Sequence, residues 1–215
     1  MSELDIPVVD LEALQSANPA RRQKAAGAIM NGFGYFGLVY IRNHGVDIDR
    51  LESFYESFLE ITDRPESEKQ TLNRPDIWYQ RGWTPPNTER AVAGGGQPDF
   101  KECYFVAPSP QPEDVAENYP EIYHDNIWPQ NADSFREKYL DIGGQLQSVG
   151  IEILRGCARA LGLAPYRFEA AVEGGPHETR ALRYIPLTEE QVDSDVFWDE
   201  EHTDFNALTI LPGGR

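Results

Sequence analysis

Between Ala132 and Leu161 an apolar stripe limits what this chain can become. Phe135, Tyr139, Ile142, Leu146, Val149, Ile153 and Cys157 recur at intervals of four and three. That spacing puts them on one side of an α-helix, since about 3.6 residues complete a turn. No consistent charge pattern flanks the stripe, so it reads as a face turned to a core rather than a coiled-coil seam. Gly162 is placed to cap this helix.

Shorter elements surround it. Ile6–Leu11 reads as a short strand, and residues 19–31 as a helix opened by Pro19 and stopped by Gly32. Phe36–Ile41 is apolar and β-branched, as a buried strand would be. A second helix is expected over Asp49–Ile61, with Leu51, Phe54, Tyr55, Phe58 and Ile61 on one face. Arg64–Gln97 is rich in proline and glycine, including Gly94, Gly95 and Gly96, and reads as loop. Lys101–Ala107 returns to strand character, and residues 108–130, with five prolines, are irregular. A short helix follows Pro165. Arg180–Leu187 and Phe205–Leu211 then read as strands separated by an acidic loop. This order gives an α+β protein whose main sheet has only begun when the sequence ends at Arg215.

Composition removes several classes of partner. The chain has 215 residues, 40% hydrophobic and 11% aromatic, enough for a real core in one domain. A formal charge of −17 opposes binding to nucleic acid or to an anionic membrane surface. No apolar run approaches the ~20 residues that span a bilayer. Met1–Asp10 has acidic residues and no basic ones, unlike a secretory signal, so a cytoplasmic protein is expected. Cys103 and Cys157 lack metal-type spacing and are expected to be buried thiols among apolar neighbours.

Gly32-Phe33-Gly34-Tyr35-Phe36-Gly37 has the G-x-G-x-x-G spacing of a dinucleotide cradle. That chemistry needs a strand before the glycines and a helix after them, so that the helix N-terminus faces the phosphates. Here the helix comes first, and the motif is rejected.

His202-Thr203-Asp204 carries the chemistry. Alternate residues of an extended segment point to one side, so an imidazole and a carboxylate two apart converge on one ion. One nitrogen and one oxygen donor suit Fe(II) in a two-histidine, one-carboxylate arrangement. A bare H-x-D is weak, because such pairs usually sit solvated on a surface. The apolar segment that begins at Phe205 puts this one at a sheet edge.

The stretch His202–Leu211 resembles the iron-binding strand of the isopenicillin N synthase-like 2-oxoglutarate/Fe(II) dioxygenases. The resemblance extends to Ile6–Leu11, to Gly34–Val46, to Asp99-Phe100-Lys101-Glu102 and to Arg183-Tyr184-Ile185-Pro186, in the family's order. It implies a double-stranded β-helix (jelly-roll) oxygenase core with flanking helices, incomplete at the C-terminus. Residues 4–108 would form the N-terminal dioxygenase region and 176–215 the first strands of the core. It further implies His202 and Asp204 as iron ligands and Tyr184 as a neighbour of the oxo acid. Fe(II), 2-oxoglutarate and dioxygen would be required, with a small organic molecule as substrate.

The family's second histidine, and the arginine and serine that hold the distal carboxylate of 2-oxoglutarate, lie further along than Arg215. His124 and His177 precede the metal segment and do not occupy that position, and His44 is expected to serve the turn after its strand. The expected reaction couples decarboxylation of 2-oxoglutarate to hydroxylation, desaturation or cyclisation. The rival from another class is a non-catalytic truncated chain acting in binding or assembly. A hydrolase built on the same pair lacks a further ligand and a base. The sequence leaves the oligomeric state open.

Overall fold

The long helix announced by the stripe is present and runs Asp133–Ala160. The structure, a computed structural model, describes residues 5–90, 98–192, 198–199, 202, 204 and 206–214. In chain order the elements are β1 (Val8–Asp10), α1 (Leu11–Gln15), α2 (Pro19–Phe36), β2 (Tyr40–Arg42), α3 (Ile48–Thr62), α4 (Glu66–Lys69), β3 (Gly82–Thr84), β4 (Lys101–Val106), α5 (Glu113–Asn118), α6 (the Asp133–Ala160 helix), α7 (Glu169–Val172), β5 (Thr179–Tyr184) and α8 (Glu189–Val192). The α+β class holds. Among the described residues β1 and β2 form a parallel pair, and β3, β4 and β5 an antiparallel sheet in that order.

The chain divides into two compact units. The first comprises Met1–Asp47, Gly144–Gly175 and Leu208–Gly213; the second comprises Ile48–Gly143, Pro176–Ala207 and Gly214–Arg215.

In the first unit, Asn18 caps α2 by accepting from the N–H groups of Ala20 (2.9 Å) and Arg21 (3.3 Å), with Pro19 next in line. Val9, Leu11, Leu14, Ala26, Ile29, Val149 and Ile153 make its core. Helices α2 and α6 approach closely at Gly156, where an added Cβ would lie 2.8 Å from Ile29 Cδ1. Gly162, at φ 70°, ends the stripe as expected.

Gly32 does not stop α2, which continues to Phe36 and ends at Gly37 in the left-handed conformation, φ 73°. Gly32 is a close-approach glycine instead: a Cβ there would sit 2.1 Å from Val39 Cγ1. The glycine motif therefore lies in a helix C-terminal half, which agrees with its rejection as a phosphate cradle. The strand expected over Phe36–Ile41 is shorter and later, Tyr40–Arg42, and Tyr40 is exposed. Helix α2 takes Phe36, and the left-handed turn at Gly37 delays strand pairing until Tyr40.

The second unit is built on aromatic packing. Phe54 of α3 meets Tyr139 of α6 edge-on at 4.8 Å, and Tyr104 of β4 meets Phe135 at 5.3 Å. The Tyr139 hydroxyl donates to the Tyr104 carbonyl at 2.6 Å inside this cluster. Burial raises the pKa of both phenols well above the ordinary tyrosine value. Residues paired across the sheet share a face. Trp83, Glu102, Tyr104, Ala181 and Arg183 therefore lie on one side, and Thr84, Lys101, Cys103, Arg180 and Tyr184 on the other. All six residues of β4 are buried.

The strand expected over Phe205–Leu211 is not formed by the described residues 206–211. Strands exist through a ladder to a neighbour, whereas Leu208 and Ile210 are placed by side-chain burial against the first unit's core. Cys103 is buried, but Cys157 is only half-buried. Phe205, Thr203 and Gly94–Gly96 lie outside the described residues.

Two stability changes follow. Phe135→Ala should cost about 3–5 kcal/mol, the range for deleting a buried aromatic side chain. Gly32→Ala should cost about 1–3 kcal/mol through overpacking against Val39. Urea unfolding followed by circular dichroism checks both, and a change in Gly32→Ala within 0.5 kcal/mol (about the scatter of surface substitutions) would contradict the close approach.

Candidate metal centre

The sheet of the second unit places Tyr184 at the end of β5, directly opposite Lys101 on β4. Beyond β5 the chain passes through α8 and reaches Trp198, Asp199, His202 and Asp204. Trp198 ties this segment back to the strand end, donating from Nε1 to the Ile185 carbonyl at 2.7 Å. Its ring lies 6.3 Å from that of Tyr184.

His202 and Asp204 converge as their spacing predicts. Nε2 of His202 is 3.5 Å from Oδ1 of Asp204, and both side chains are about half exposed. Two donors at right angles on one divalent ion, with bonds of about 2.1 Å, lie about 3 Å apart. The pair thus fits a shared first-row metal with a small closing movement. Nδ1 of His202 faces a different carboxylate, Asp199 Oδ1, at 3.7 Å.

Lys101 is the group that sequence reading passed over. Its side chain is buried, and Nζ meets Asp199 Oδ1 at 2.7 Å, Asp99 Oδ2 at 3.0 Å and Glu89 Oε2 at 3.7 Å. Burial is the largest single influence on its pKa and would lower it. The bonds to Asp199 and Asp99 together outweigh that, and the pKa lies above the ordinary 10.5. Tyr184 closes the group, its hydroxyl 3.4 Å from Asp199 Oδ2. Burial and then the Asp199 charge push its phenol pKa up. The one available signal was a lysine at the start of a segment with strand character, within the motif Asp99-Phe100-Lys101-Glu102.

The same face continues to Cys103, whose thiol burial and Glu89 push up to about 12, and to Arg180, which pairs with Glu89 at 2.7 Å. Thr84, opposite Cys103, has a buried hydroxyl with no hydrogen-bond partner among the described residues. On the other face Glu102 accepts from Lys69 (2.8 Å) and from Trp83 Nε1 (2.7 Å). A cleft of ≈ 380 Å³ opens there, lined by Glu66, Lys69, Trp83, Phe100, Glu102 and Ile185. It does not include the His202–Asp204 pair, and two of its charges, Lys69 and Glu102, pair with one another.

The remaining histidines are elsewhere. The His44 ring accepts from the Val46 N–H at 3.1 Å, the turn role expected of it. The His124 carbonyl receives Arg81 and Gln111. Among the described residues no group of three or more His, Cys, Asp or Glu side chains is arranged to hold a metal. None of their helices is long and apolar enough to cross a membrane.

Residues 6–131 match the family model described as non-haem dioxygenase in morphine synthesis N-terminal. The chain belongs to the non-haem dioxygenase family. Its relatives agree with the isopenicillin N synthase-like character of its motifs. The chain is 26% identical to validamycin A dioxygenase of Streptomyces hygroscopicus subsp. limoneus over 96% of its own length and 57% of that protein. It is 30% identical to kihadalactone A synthase LFS of Citrus sinensis, over 96% and 62%. A full-length Neurospora crassa protein whose crystal structure is in complex with alpha-KG shares its fold, with a TM-score of 0.78 at 23% identity. That match covers 95% of this chain and 62% of the other. The chain therefore spans less than two thirds of the length of these relatives.

Two measurements check the electrostatics. Iodoacetamide at pH 8 should label Cys157 well before Cys103, and Cys103 only on unfolding; peptide mass spectrometry reads the order. Lys101→Met leaves Asp99 buried without its cation and should cost about 3–5 kcal/mol. Because the folded pKa of Lys101 is raised, that difference holds at every pH below 10.5 and declines as pH rises through the higher folded value. A difference that instead grew above pH 10.5 would contradict the pairing.

Proposed function

We propose that the full-length protein is an Fe(II)-dependent dioxygenase that couples decarboxylation of 2-oxoglutarate to oxidation of a small organic substrate. The observation that carries this reading is the approach of His202 Nε2 to Asp204 Oδ1 at 3.5 Å, in a chain of the non-haem dioxygenase family. The mixed nitrogen and oxygen donor set suits iron, and two protein ligands leave positions for the oxo acid and dioxygen. Iron, when bound, would supply the activation of dioxygen, which is the oxidant; the protein holds, orients and excludes water.

His202 and Asp204 would hold the ion. Tyr184 stands near them through Asp199, and its side chain would lie beside the bound oxo acid. The unpartnered Thr84 hydroxyl is the kind of buried group that a bound small molecule satisfies. The double-stranded β-helix core belongs to this same reading. The Neurospora crassa protein that shares the fold is crystallised with alpha-KG, and that supports 2-oxoglutarate as the co-substrate.

The full-length protein should form succinate from 2-oxoglutarate with Fe(II) and a substrate panel, read by mass spectrometry. His202→Ala and Asp204→Ala should each weaken iron binding by at least about 100-fold, beyond the 10–100-fold typical of an outer-shell change. Wild-type iron affinity in both variants would remove the pair from the metal site. Tight iron binding with no succinate from any substrate would instead favour a binding or assembly role.

A further inference from the structure

His202 stands between two carboxylates, one on each ring nitrogen. Asp204 faces Nε2 at 3.5 Å and Asp199 faces Nδ1 at 3.7 Å. A metal-binding imidazole uses one nitrogen for the ion and gives the other N–H to an acceptor, usually a carboxylate, which fixes both tautomer and ring plane. The two aspartates differ in what holds them. Asp199 is committed on both oxygens: Oδ1 accepts from Lys101 at 2.7 Å and Oδ2 from the Tyr184 hydroxyl at 3.4 Å. Lys101 is itself buried, and its strand β4 is hydrogen-bonded on both sides, to β3 and to β5.

We propose that Asp199 is a positioning residue for His202, anchored to the sheet by Lys101. At 3.7 Å it stands just beyond hydrogen-bond length of Nδ1; with a small closing movement it accepts the Nδ1 proton and so leaves the Nε2 lone pair pointing to the side where Asp204 lies. Lys101 and Tyr184, by occupying its oxygens, keep Asp199 from turning to the ion as a ligand. The inference rests on the reading of His202 and Asp204 as ligands, and it adds a residue that neither motif spacing nor family resemblance picks out. The clamp also explains why a lysine is buried on β4 and why the segment carrying the pair returns to the end of β5.

The test uses the metal-free full-length protein labelled with 15N-histidine. Long-range proton–nitrogen spectra, with His202 assigned by its loss in His202→Ala, should show the Nδ1–H tautomer in the unsubstituted chain. Asp199→Asn keeps a carbonyl oxygen on Lys101 but removes the negative charge that holds the Nδ1 proton, and should shift the ring towards the Nε2–H form. Cobalt(II) affinity should fall 10–100-fold in Asp199→Asn, with the thermal midpoint followed as a control, and recover at least in part in Asp199→Glu.

An Nε2–H tautomer in the unsubstituted chain overturns the proposal without any variant having to fold. So does an Asp199→Asn protein with unchanged tautomer and unchanged cobalt affinity. A loss of cobalt in Asp199→Asn as complete as in Asp204→Ala would make Asp199 a ligand and overturn it too. If His202→Ala and Asp204→Ala bind cobalt normally, the ligand reading fails by itself, whatever Asp199 does.

Discussion

The second unit depends on how it neutralises a lysine and a glutamate placed side by side on a fully buried strand. Lys101 and Glu102 are adjacent on β4, so the pleat sends them to opposite faces, and neither can be left uncompensated. Glu102 draws in Lys69 from α4, the indole of Trp83 on β3, and Arg183 of β5 at 3.8 Å. Lys101 draws in Asp99 and Asp199. Elements distant in sequence are thereby bound to one strand through charge, and the remainder of β4 is free to carry the aromatic contacts of Tyr104.

This division of labour gives the two faces different characters. The Glu102 face is structural: Glu102 is held by Lys69, Trp83 and Arg183, and the aromatic half of the face merges with Phe54, Phe135 and Tyr139. The Lys101 face carries the polar groups with something still to do, the Thr84 hydroxyl and the Asp199–Tyr184 pair. A buried ion pair adds little net stability over an apolar replacement, so its value on this face lies in placement. Held by Lys101, Asp199 links a segment of irregular backbone to a rigid sheet, and precise placement is what the proposed ligand role of His202 requires.

Much of this was legible in the residues. The stripe from Phe135 to Cys157 specified its helix almost to the residue, because a period of about 3.6 sustained over many turns admits no other regular structure. His202 and Asp204 were found through spacing and family resemblance, since a two-residue offset in extended chain brings side chains together wherever the segment lies. Local punctuation was less reliable. Gly32 reads as a helix stop, yet the contact with Val39, not backbone conformation, explains why no side chain stands there. Residues 206–211 read as a strand from their apolar character, which equally suits an irregular segment in which Leu208 and Ile210 pack, partly buried, against the first unit's core.

By itself, then, the sequence determined the long helix, the α+β order and the His202–Asp204 spacing, which rest on periodicity or on spacing along the chain, and the family, which rests on the resemblance of its motifs. Only the tertiary structure decided where α2 ends, which groups share each face of the sheet, and that Asp199 lies between Lys101 and His202. Lys101 and Asp199 are 98 residues apart, and no local pattern encodes a pairing at that distance. It emerges only when β4 is buried and its lysine must find a carboxylate.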